Sequence, residues 1–305
     1  MVQTHAQRRG RCAPSPTGPM HLGNARTALL AWLDARVGGG RVLLRVEDLD
    51  PQRSRRAYAE LILRDLEWLG MDYDEGPVFQ SSRGERYASV LDELRARGLV
   101  YPCWCSRADV HHAVGAPHLG EEARYPGTCA RSPASASADG RAPAWRLRAP
   151  ARTYAWDDLV LGPQRARADA YGDVVVRRAD GAFGYQLAVA IDDAEMGVTR
   201  VVRGEDLVSS TPRQLALYEM LGRAAPRFGH VPLVRDDEGK RLAKRTPSTT
   251  VAGLRDAGED ARTVVGMLAA SLGWAAQGAR LSPRDLLDLG RGVEELRGRA
   301  ERPGA

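Results

Sequence analysis

The sequence predicts an α/β protein built around a parallel β-sheet, and three observations support this fold class. Short apolar segments typical of buried strands alternate with segments whose apolar residues repeat at helical spacing, and glycines follow the ends of the helical segments. Parallel strands need a connection of helical length between them, so this alternation favours a parallel sheet covered by helices. The chain of 305 residues is long enough for one large domain or two smaller ones.

The first strand and the first helix flank a proline-rich turn. The segment RRGRCA predicts a strand, and the turn Pro14–Pro19 follows it directly. Apolar residues at i, i+3, i+4, i+7 and i+8 from Ala25 predict an amphipathic helix. Asn24 is the expected N-cap of this helix, and Gly38–Gly40 is its expected end. The segment RVLLRVED then predicts a buried strand that ends in acidic residues.

Further elements continue the alternation. One helix is predicted from Ser54, its expected N-cap, to Leu69, and a second helix is predicted over Glu85–Arg97. Regular structure resumes after residue 171 with the segments DVVVRR and GYQLAVAIDDAEMGVTRVVRG. The next helix is expected to open with Thr211 as its N-cap and Pro212 in its first position.

Composition divides the chain into four parts. Between residues 101 and 150 lie three cysteines, three histidines and the low-complexity stretch RSPASASADGRAP, which together predict an insertion with a surface loop. The predicted parts are the first half of the sheet domain at 1–100, the insertion at 101–170, the second half at 171–250 and a helical C-terminal segment at 251–305.

Composition also limits the functional class. A net charge of +5 and a pI near 9.2 allow a nucleic-acid partner without requiring one. No run of 18 apolar residues is present, and the N-terminus lacks the apolar core of a secretory signal, so we expect no membrane span and no export. Four cysteines are too few for a disulfide scaffold, and the cytoplasm is the expected compartment.

The motif His21-Leu22-Gly23-Asn24 lies at the junction between the turn and the first helix. Backbone N–H groups and the positive end of the helix dipole face this point, which makes it a ready site for phosphate. Glycine lets a ligand approach the backbone, and an imidazole can donate a hydrogen bond to an anionic oxygen. A histidine at a helix start is usually structural, so the motif gains weight only from its context.

A second candidate is the polar segment DDEGKRLAKRTPS at Asp236–Ser248, whose cationic residues are Lys240, Arg241, Lys244 and Arg245. Two interpretations remain open for it. It is either a solvated basic loop or a mobile segment whose cationic groups neutralise the charge that develops on a leaving pyrophosphate.

A cysteine cluster in the insertion indicates a metal site before a disulfide. Cys103, Cys105 and Cys129 supply three thiolates, and one more donor would complete the tetrahedral coordination that zinc prefers. Three nearby histidines could each be the fourth ligand on spacing alone: His111, His112 and His118. The alternative is three buried free cysteines. Cys12 stands apart in the first strand and is expected in the core.

Four segments, in order, resemble the catalytic core of class I glutamyl-tRNA synthetases over roughly residues 10–250: RCAPSPTGPMHLGNARTALLAWLDAR, LLRVEDLDPQRS, VVRGEDLVSSTPRQLALYEML and KRLAK. His21–Asn24 corresponds to the family's His-Ile-Gly-His motif, and Arg241–Lys244 corresponds to its Lys-Met-Ser-Lys-Ser motif. The chain departs from these motifs, with Asn24 in place of the second histidine, Arg241 in place of the first lysine and Ala243 in place of the serine.

The resemblance implies a Rossmann-like catalytic core that binds ATP with Mg²⁺ and an amino acid, forms an aminoacyl-adenylate and transfers the acyl group to RNA. His21 and Lys244 would be the catalytic residues and would face the phosphates from opposite sides. The residues implied in ATP binding are His21, Gly23, Asn24, Arg241 and Lys244.

A glutamate substrate carries two carboxylates and one ammonium group, so its pocket needs about two cationic donors and one anion. By resemblance, the cations are Arg11 and Arg203, the anion is Glu47, and Ala13, Ser15 and Tyr185 contribute hydrogen bonds or shape. An arginine fork on a carboxylate would reject the neutral glutamine, and discrimination on the order of 10⁴ is available in such a site.

The family's short paralogues, the glutamyl-Q tRNA(Asp) synthetases, resemble this chain in two respects. That resemblance implies one structural Zn²⁺ on Cys103, Cys105, Tyr125 and Cys129. Only about 60 residues follow the basic segment, so we expect no anticodon-binding domain. The implied reaction activates L-glutamate without tRNA and transfers it to the queuosine base in the anticodon of tRNA(Asp), with no obligate protein partner evident.

Three alternatives stay open. A truncated glutamyl-tRNA synthetase that charges the 3′ end of tRNA would share every active-site motif. A pantothenate-synthetase-like ligase would share the histidine–glycine motif but not the pocket of Arg11, Glu47 and Arg203. A non-catalytic, zinc-containing RNA-binding module would also carry the insertion, although His21 and Lys244 argue against it.

Overall fold

The computed structural model describes residues 8–106, 108–110, 124–131, 140, 142–234 and 249–298. The strands are β1 (Arg9–Cys12), β2 (Arg41–Val46), β3 (Glu75–Phe79), β4 (Val100–Cys103), β5 (Ala144–Leu147), β6 (Thr153–Asp158), β7 (Gly162–Arg167), β8 (Val174–Arg177), β9 (Arg200–Gly204) and β10 (Arg227–Val231). The helices are α1 (Leu22–Arg36), α2 (Arg56–Trp68), α3 (Gly84–Ala96), α4 (Thr128–Arg131), α5 (Tyr185–Glu195), α6 (Thr211–Met220), α7 (Val251–Asp256), α8 (Ala261–Ala270) and α9 (Pro283–Asp288). Short 3₁₀ helices cover Gln80–Arg83, Glu205–Ser210 and Val293–Leu296.

Five strands form a parallel sheet in the order β10-β9-β1-β2-β3. Side chains along β2 alternate between two apolar cores: Val42 and Leu44 belong to the first core, and Leu43 belongs to the second. The first core also contains α1, α2 and the C-terminal helices, whereas the second contains α3, α5 and α6. The predicted parallel sheet covered by helices is therefore confirmed.

Helix α1 is the central helix of the first core. Leu29, Leu30 and Leu33 are fully buried in it. Gly10 of β1 lies so close to this helix that an added Cβ would come within 2.7 Å of the Ala35 Cβ. The helix ends as predicted before Gly38, whose φ of +77° is accessible to glycine and unfavourable for most other residues.

The predicted N-cap of α1 is wrong. The helix begins at Leu22, about one turn earlier than expected, and its N-cap is His21. The His21 Nδ1 accepts a hydrogen bond from the Asn24 backbone N–H at 3.2 Å. Asn24 therefore lies inside the first turn, and the histidine takes the capping role that asparagine was expected to have.

Two other predicted N-caps are also wrong. At α2 the N-cap is Arg55 instead of Ser54, and no side chain caps the helix. The Arg55 N–H donates to the Pro16 carbonyl oxygen at 3.0 Å, so the proline-rich turn holds the start of this helix. At α6 the N-cap is Ser210, and Thr211 lies in the first helical turn.

Helix α3 confirms the helix predicted over residues 85–97. Its expected apolar face is buried in the second core and consists of Tyr87, Val90, Leu91 and Leu94. Gly98, with a φ of +68°, follows the end of the helix as expected.

Antiparallel strands lie outside the central sheet. β4, β5 and β8 form a three-stranded sheet, and β6 and β7 form a hairpin. The hairpin packs on the edge strand β10, where the Leu159 N–H donates to the Phe228 carbonyl oxygen at 2.8 Å. Strand β8 is followed by α5, which packs in the second core. The antiparallel strands are therefore joined to the central sheet through α5 as well as through the contact of the hairpin with β10. The domain limits at residues 100, 170 and 250 stay predictions.

The C-terminal helices α7, α8 and α9 pack on the side of the five-stranded sheet that carries α1 and α2. Val264, Leu268 and Leu286 share the first core with α1. Arg255 of α7 forms an ion pair of 2.5 Å with Asp65 of α2. Among the described helices, none combines the length and apolar character that crossing a membrane requires.

Candidate active site

A cavity of about 500 Å³ opens at the carboxyl ends of β1, β2 and β9. Open parallel sheets bind their ligands at this edge. Nine of the residues predicted to bind glutamate or ATP line the cavity: Arg11, Ala13, Ser15, His21, Gly23, Asn24, Glu47, Tyr185 and Arg203. The basic-segment residues lie outside the described residues: Lys240, Arg241, Ala243, Lys244 and Arg245. The structure thus brings together every predicted pocket residue that it describes.

The proline-rich turn forms one wall of this cavity. Its carbonyl oxygens accept hydrogen bonds from other elements: the Glu47 N–H at the end of β2 donates to Pro14, and the Arg55 N–H before α2 donates to Pro16. Proline has no N–H and a restricted φ, which limits the conformations of the turn. The turn that carries Ala13 and Ser15 is therefore tied to the end of β2 and to the start of α2.

Arg203, near the end of β9, is buried, and its hydrogen-bond acceptors are uncharged. The Nε–H donates to His230 Nε2 at 3.0 Å, Nη1 donates to Gln214 Oε1 at 2.7 Å, and Nη2 donates to Thr211 Oγ1 at 2.9 Å. Burial lowers the pKa of Arg203, and the positive charge of Arg11 acts in the same direction, while Tyr185 and Asp193 oppose them. No salt bridge to Arg203 is present within the described residues. A bound carboxylate would provide the missing negative charge.

Arg45 on β2 is equally buried but has acidic partners. Its Nη1 lies 2.7 Å from Asp193, its Nη2 lies 3.1 Å from Glu47, and its Nε lies 3.8 Å from Asp192. Asp193 also lies 3.7 Å from the Nε of Arg11. The charge of Arg45 is therefore balanced by the protein itself, whereas that of Arg203 is not.

Glu47 and Tyr185 face the cavity between the two arginines of the predicted pocket. Burial raises the pKa of Glu47, while Arg45 and Arg11 act in the opposite direction. Burial, and then the negative charge of Glu47, raises the pKa of Tyr185. The Tyr185 hydroxyl therefore stays protonated at neutral pH and is able to donate a hydrogen bond to a carboxylate.

His21 caps α1 at the other side of the cavity. Because its Nδ1 accepts the Asn24 N–H, the proton of the neutral imidazole lies on Nε2, the nitrogen that would donate to a phosphate oxygen. Gly23 packs over the ring, and an added Cβ would lie 3.1 Å from the imidazole. The positive end of the helix dipole reinforces this site for an anion.

The borders of residues 235–248 lie beside the N-terminal part of α1. On one border the Arg26 side chain donates to the Pro232 carbonyl oxygen at 2.5 Å. On the other border Thr250 forms an isolated antiparallel bridge with His21. The chain therefore enters and leaves this segment next to the predicted phosphate site.

A second cluster of candidate ligands lies beside the antiparallel sheet. The Sγ atoms of Cys103, Cys105 and Cys129 all lie within 4.8 Å of one another. The Tyr125 Oη lies 3.3 Å from the Cys103 Sγ and 3.8 Å from the Cys105 Sγ. Neighbouring donors on a tetrahedral zinc ion are separated by about 3.5–3.8 Å, so these residues could hold such an ion. The histidines considered as the fourth ligand lie outside the described residues: His111, His112 and His118.

Arg146, which is not among the predicted site residues, adds a positive charge to this cluster. Its guanidinium carbon lies 3.7 Å from the centre of the Tyr125 ring, and its Nε–H donates to the Cys103 Sγ at 3.3 Å. A cation here would offset the negative charge of metal-bound thiolates. Cys12 is in the first core, away from the cluster, and burial raises the pKa of its thiol to about 12.

Three buried residues behind the predicted pocket are not among the predicted site residues: Asp158, Asp193 and His230. A signal was present for two of them. Asp193 belongs to two adjacent aspartates in the apolar segment LAVAIDDAE, and His230 lies in the predominantly apolar segment FGHVPLV. An ionisable group that is buried needs a partner, so such positions are candidates for a functional network.

Comparison with known proteins identifies similar sequences. Residues 7–282 match the family described as tRNA synthetases class I (E and Q), catalytic domain. A protein from Symbiobacterium thermophilum named Glutamyl-Q tRNA(Asp) synthetase is 50% identical over 294 residues, which cover 92% of this chain and 91% of that protein. A protein from a Synechococcus species named Glutamate–tRNA ligase is 45% identical over 257 residues, which cover 81% of this chain and 53% of that protein.

A solved structure is also similar. The glutamate tRNA ligase from Elizabethkingia meningosepticum, in complex with its amino acid, superposes with a TM-score of 0.79 at 26% sequence identity. The superposition covers 96% of this chain and 66% of that one. The chain thus spans slightly less than two thirds of the length of that ligase.

Proposed function

The chain belongs to the family of class I tRNA synthetases for glutamate and glutamine, and on this premise we propose a two-step reaction. L-Glutamate is activated with ATP to glutamyl-adenylate without tRNA, and the glutamate is then transferred to the queuosine base in the anticodon of tRNA(Asp). The observation that carries the proposal is the pair of buried arginines, Arg11 and Arg203, that share one cavity with Glu47.

The charges around the cavity support glutamate as the amino acid. Arg203 has no acidic hydrogen-bond partner among the described residues, and Arg11 shares Asp193 with Arg45. We assign the two glutamate carboxylates to Arg11 and Arg203 and the ammonium group to Glu47. The remaining contacts are assigned to Ala13, Ser15 and Tyr185. Bidentate arginine–carboxylate pairs would give this site its preference over neutral side chains.

The adenylation step joins two anions, so the protein must orient both and absorb negative charge. In the reaction a glutamate carboxylate oxygen attacks the α-phosphorus of ATP, and pyrophosphate leaves. We assign the phosphates to His21, Gly23 and Asn24, because these residues line the cavity at the N-terminal end of α1, where the helix dipole favours an anion. Mg²⁺ bound with ATP would supply further charge neutralisation.

We assign Lys244 and Arg241 to the pyrophosphate because few residues separate them from Thr250, which lies beside His21. Lys244 precedes Thr250 by six positions in the sequence, and Thr250 bridges His21. At no more than about 3.6 Å per residue, six residues reach at most roughly 22 Å. This tether is short enough to support a role for Lys244 at the phosphates bound by His21.

The acceptor is proposed from the relatives. The relative whose name includes glutamyl-Q and tRNA(Asp) is matched over 91% of its length, whereas the glutamate–tRNA ligase is matched over 53%. None of the described cysteines forms a disulfide, which is typical of a reducing compartment, and we propose the cytoplasm as the location.

The decisive experiment supplies labelled glutamate and ATP with tRNA(Asp) that either carries or lacks queuosine. We expect glutamate-dependent ATP–pyrophosphate exchange without tRNA, and label only on the queuosine-containing tRNA, retained after the 3′-terminal adenosine is removed. Label on tRNA(Glu), or label lost with that adenosine, would favour a truncated glutamyl-tRNA synthetase. Absence of exchange would favour the non-catalytic RNA-binding module.

One structural Zn²⁺ is proposed on Cys103, Cys105, Tyr125 and Cys129, whose donor atoms have suitable separations. We expect one zinc ion per purified chain. Cys129→Ser should lose the metal and unfold at a lower temperature, because binding of a structural zinc contributes to folding. Elemental analysis and thermal unfolding measure both effects. Cys12→Ser is the matched control and should keep its zinc; full zinc content in Cys129→Ser would refute the site.

A further inference from the structure

We propose that Asp158 and His230 position Arg203, by holding its guanidinium in the orientation that binds a glutamate carboxylate. The inference rests on the proposed function, since that function assigns Arg203 to the substrate. Neither Asp158 nor His230 is among the residues that line the cavity. Both are fully buried behind Arg203 and would act on the substrate only through it.

The hydrogen-bond geometry determines the tautomer of His230. Arginine can only donate hydrogen bonds, so the His230 Nε2, 3.0 Å from the Arg203 Nε, must be an acceptor. In a neutral imidazole with an unprotonated Nε2, the proton is on Nδ1. The Asp158 Oδ2 lies 2.5 Å from that nitrogen and accepts the Nδ1–H. The carboxylate therefore selects the tautomer that presents a lone pair to Arg203.

Asp158 is itself held by backbone donors. Its Oδ1 accepts the N–H groups of His230 at 3.0 Å and of Val160 and Leu161 at 3.1 Å. Burial alone would raise the pKa of Asp158, but the hydrogen bonds from His230 outweigh it and bring this pKa to about 2. The carboxylate is thus ionised and rigid. It lies at the end of β6, so the hairpin that packs on β10 supplies a charge to the active site from outside the central sheet.

An imidazole between Asp158 and Arg203 orients the guanidinium better for substrate binding than a carboxylate in direct contact with it would. A carboxylate in direct contact with Arg203 would neutralise the guanidinium and compete with the substrate for it. A neutral imidazole orients the Nε–H without bringing a negative charge to that position. Burial lowers the pKa of His230, Arg203 acts in the same direction and Asp158 opposes it, so the ring stays neutral near pH 7.

The remaining contacts of Arg203 complete the positioning. Thr211 and Gln214, both in the first turns of α6, accept from Nη2 and Nη1. The Gln214 amide in turn donates to the Gln186 Oε1 at 2.9 Å, which orients the acceptor. Nη1 and Nη2 of Arg203 therefore each donate one N–H to α6, while the Nε–H of Arg203 donates to His230.

The test uses three substitutions that separate the two hydrogen bonds of His230. In Asp158→Asn, three backbone N–H groups hold the amide oxygen, so the amide NH₂ faces His230 Nδ1 and the ring switches to the Nε2–H tautomer, which cannot accept from Arg203. His230→Asn also lacks the acceptor for Arg203. His230→Gln keeps an oxygen near the position of Nε2. We expect KM for glutamate to rise about 10- to 100-fold in the first two variants and to be largely rescued in His230→Gln.

Kinetics of ATP–pyrophosphate exchange distinguish positioning from general damage. KM for ATP should stay unchanged in all three variants, and thermal unfolding reports on their folding. Asp157→Asn is the matched control, because Asp157 is the neighbouring carboxylate, is exposed and pairs with Arg297. Equal changes in the two KM values, no change for glutamate, or a His230→Gln variant as impaired as His230→Asn would each overturn the proposal.

A measurement on the unmodified protein keeps the proposal testable if the variants fail to fold. Nitrogen-15 spectra of histidine side chains, assigned with His230→Gln, should show an unprotonated Nε2 and a protonated Nδ1 for His230 at neutral pH. An Nε2–H tautomer would overturn the positioning role whether or not the protein is active. Absence of glutamate-dependent exchange in the unmodified protein would instead refute the proposed function, so the two failures are distinguishable.

Discussion

Arg203→Met is expected to raise KM for glutamate by about 10²- to 10³-fold, because it removes one partner of a buried charge pair with the substrate carboxylate. Two effects on stability oppose each other. Arg203 has no salt bridge among the described residues, so an apolar side chain of similar length removes a buried charge that no described carboxylate contacts. The substitution also leaves His230, Gln214 and Thr211 without this donor, so a moderate loss of stability is expected. Glutamate-dependent exchange measures the first effect, and thermal unfolding measures the second.

Arg200→Met is the matched control on the same strand. Arg200 is buried like Arg203, but it pairs with Asp34 at 2.5 Å and with Glu294 at 2.9 Å. Its removal would leave Asp34 buried without this partner, at a cost of about 3 kcal/mol in the free energy of unfolding. KM for glutamate should not change. If both variants affected stability and KM alike, the assignment of Arg203 to the substrate would be wrong.

His21→Ala is expected to lower the rate of adenylation by about 10²- to 10³-fold, since a preorganised donor to the developing phosphate charge is lost. The same substitution also removes the N-cap of α1, which costs about 1 kcal/mol of stability. Rapid-quench measurement of glutamyl-adenylate formation reports the first effect, and urea unfolding reports the second.

His21→Asn separates the two roles of this residue. Asparagine is among the strongest N-caps, so stability should return to that of the unmodified protein. The rate should remain low, because the amide does not reproduce the Nε2–H of the imidazole. A His21→Asn variant with full adenylation activity would show that His21 acts only as a cap.

Much of the fold was predictable because its signals are local. The helical spacing of apolar residues from Ala25 and over 85–97 predicted α1 and α3, and the alternation of strands and helices predicted the parallel sheet. The N-caps of α1 and α2 were not predictable from residue type. At α1 the imidazole of His21 takes the cap, and at α2 the Pro16 carbonyl oxygen holds the backbone of Arg55 instead of a side chain at Ser54.

The convergence of residues behind the pocket was not predictable, because they come from distant parts of the chain. Asp158, Thr211, Gln214 and His230 belong to three separate elements that converge on Arg203 only when the hairpin and α6 pack beside β9 and β10. Residues that position a ligand through another side chain carry no motif of their own. Their role depends on distances of a few ångströms that only packing establishes.

The sequence by itself determined the parallel sheet, because the sheet depends on local periodicity, whereas the residues expected at its carboxyl edge were implied by the resemblance to a known family. Resemblance implied a pocket role for Arg203, in the segment VVRGED, and no role was predicted for Arg45, in the similar segment LLRVED. Tertiary structure supplies the physical difference between these two arginines. Aspartates of α5 neutralise Arg45, whereas uncharged acceptors surround Arg203. A buried charge acquires its role from the groups packed around it, and those groups are neighbours only in the folded chain.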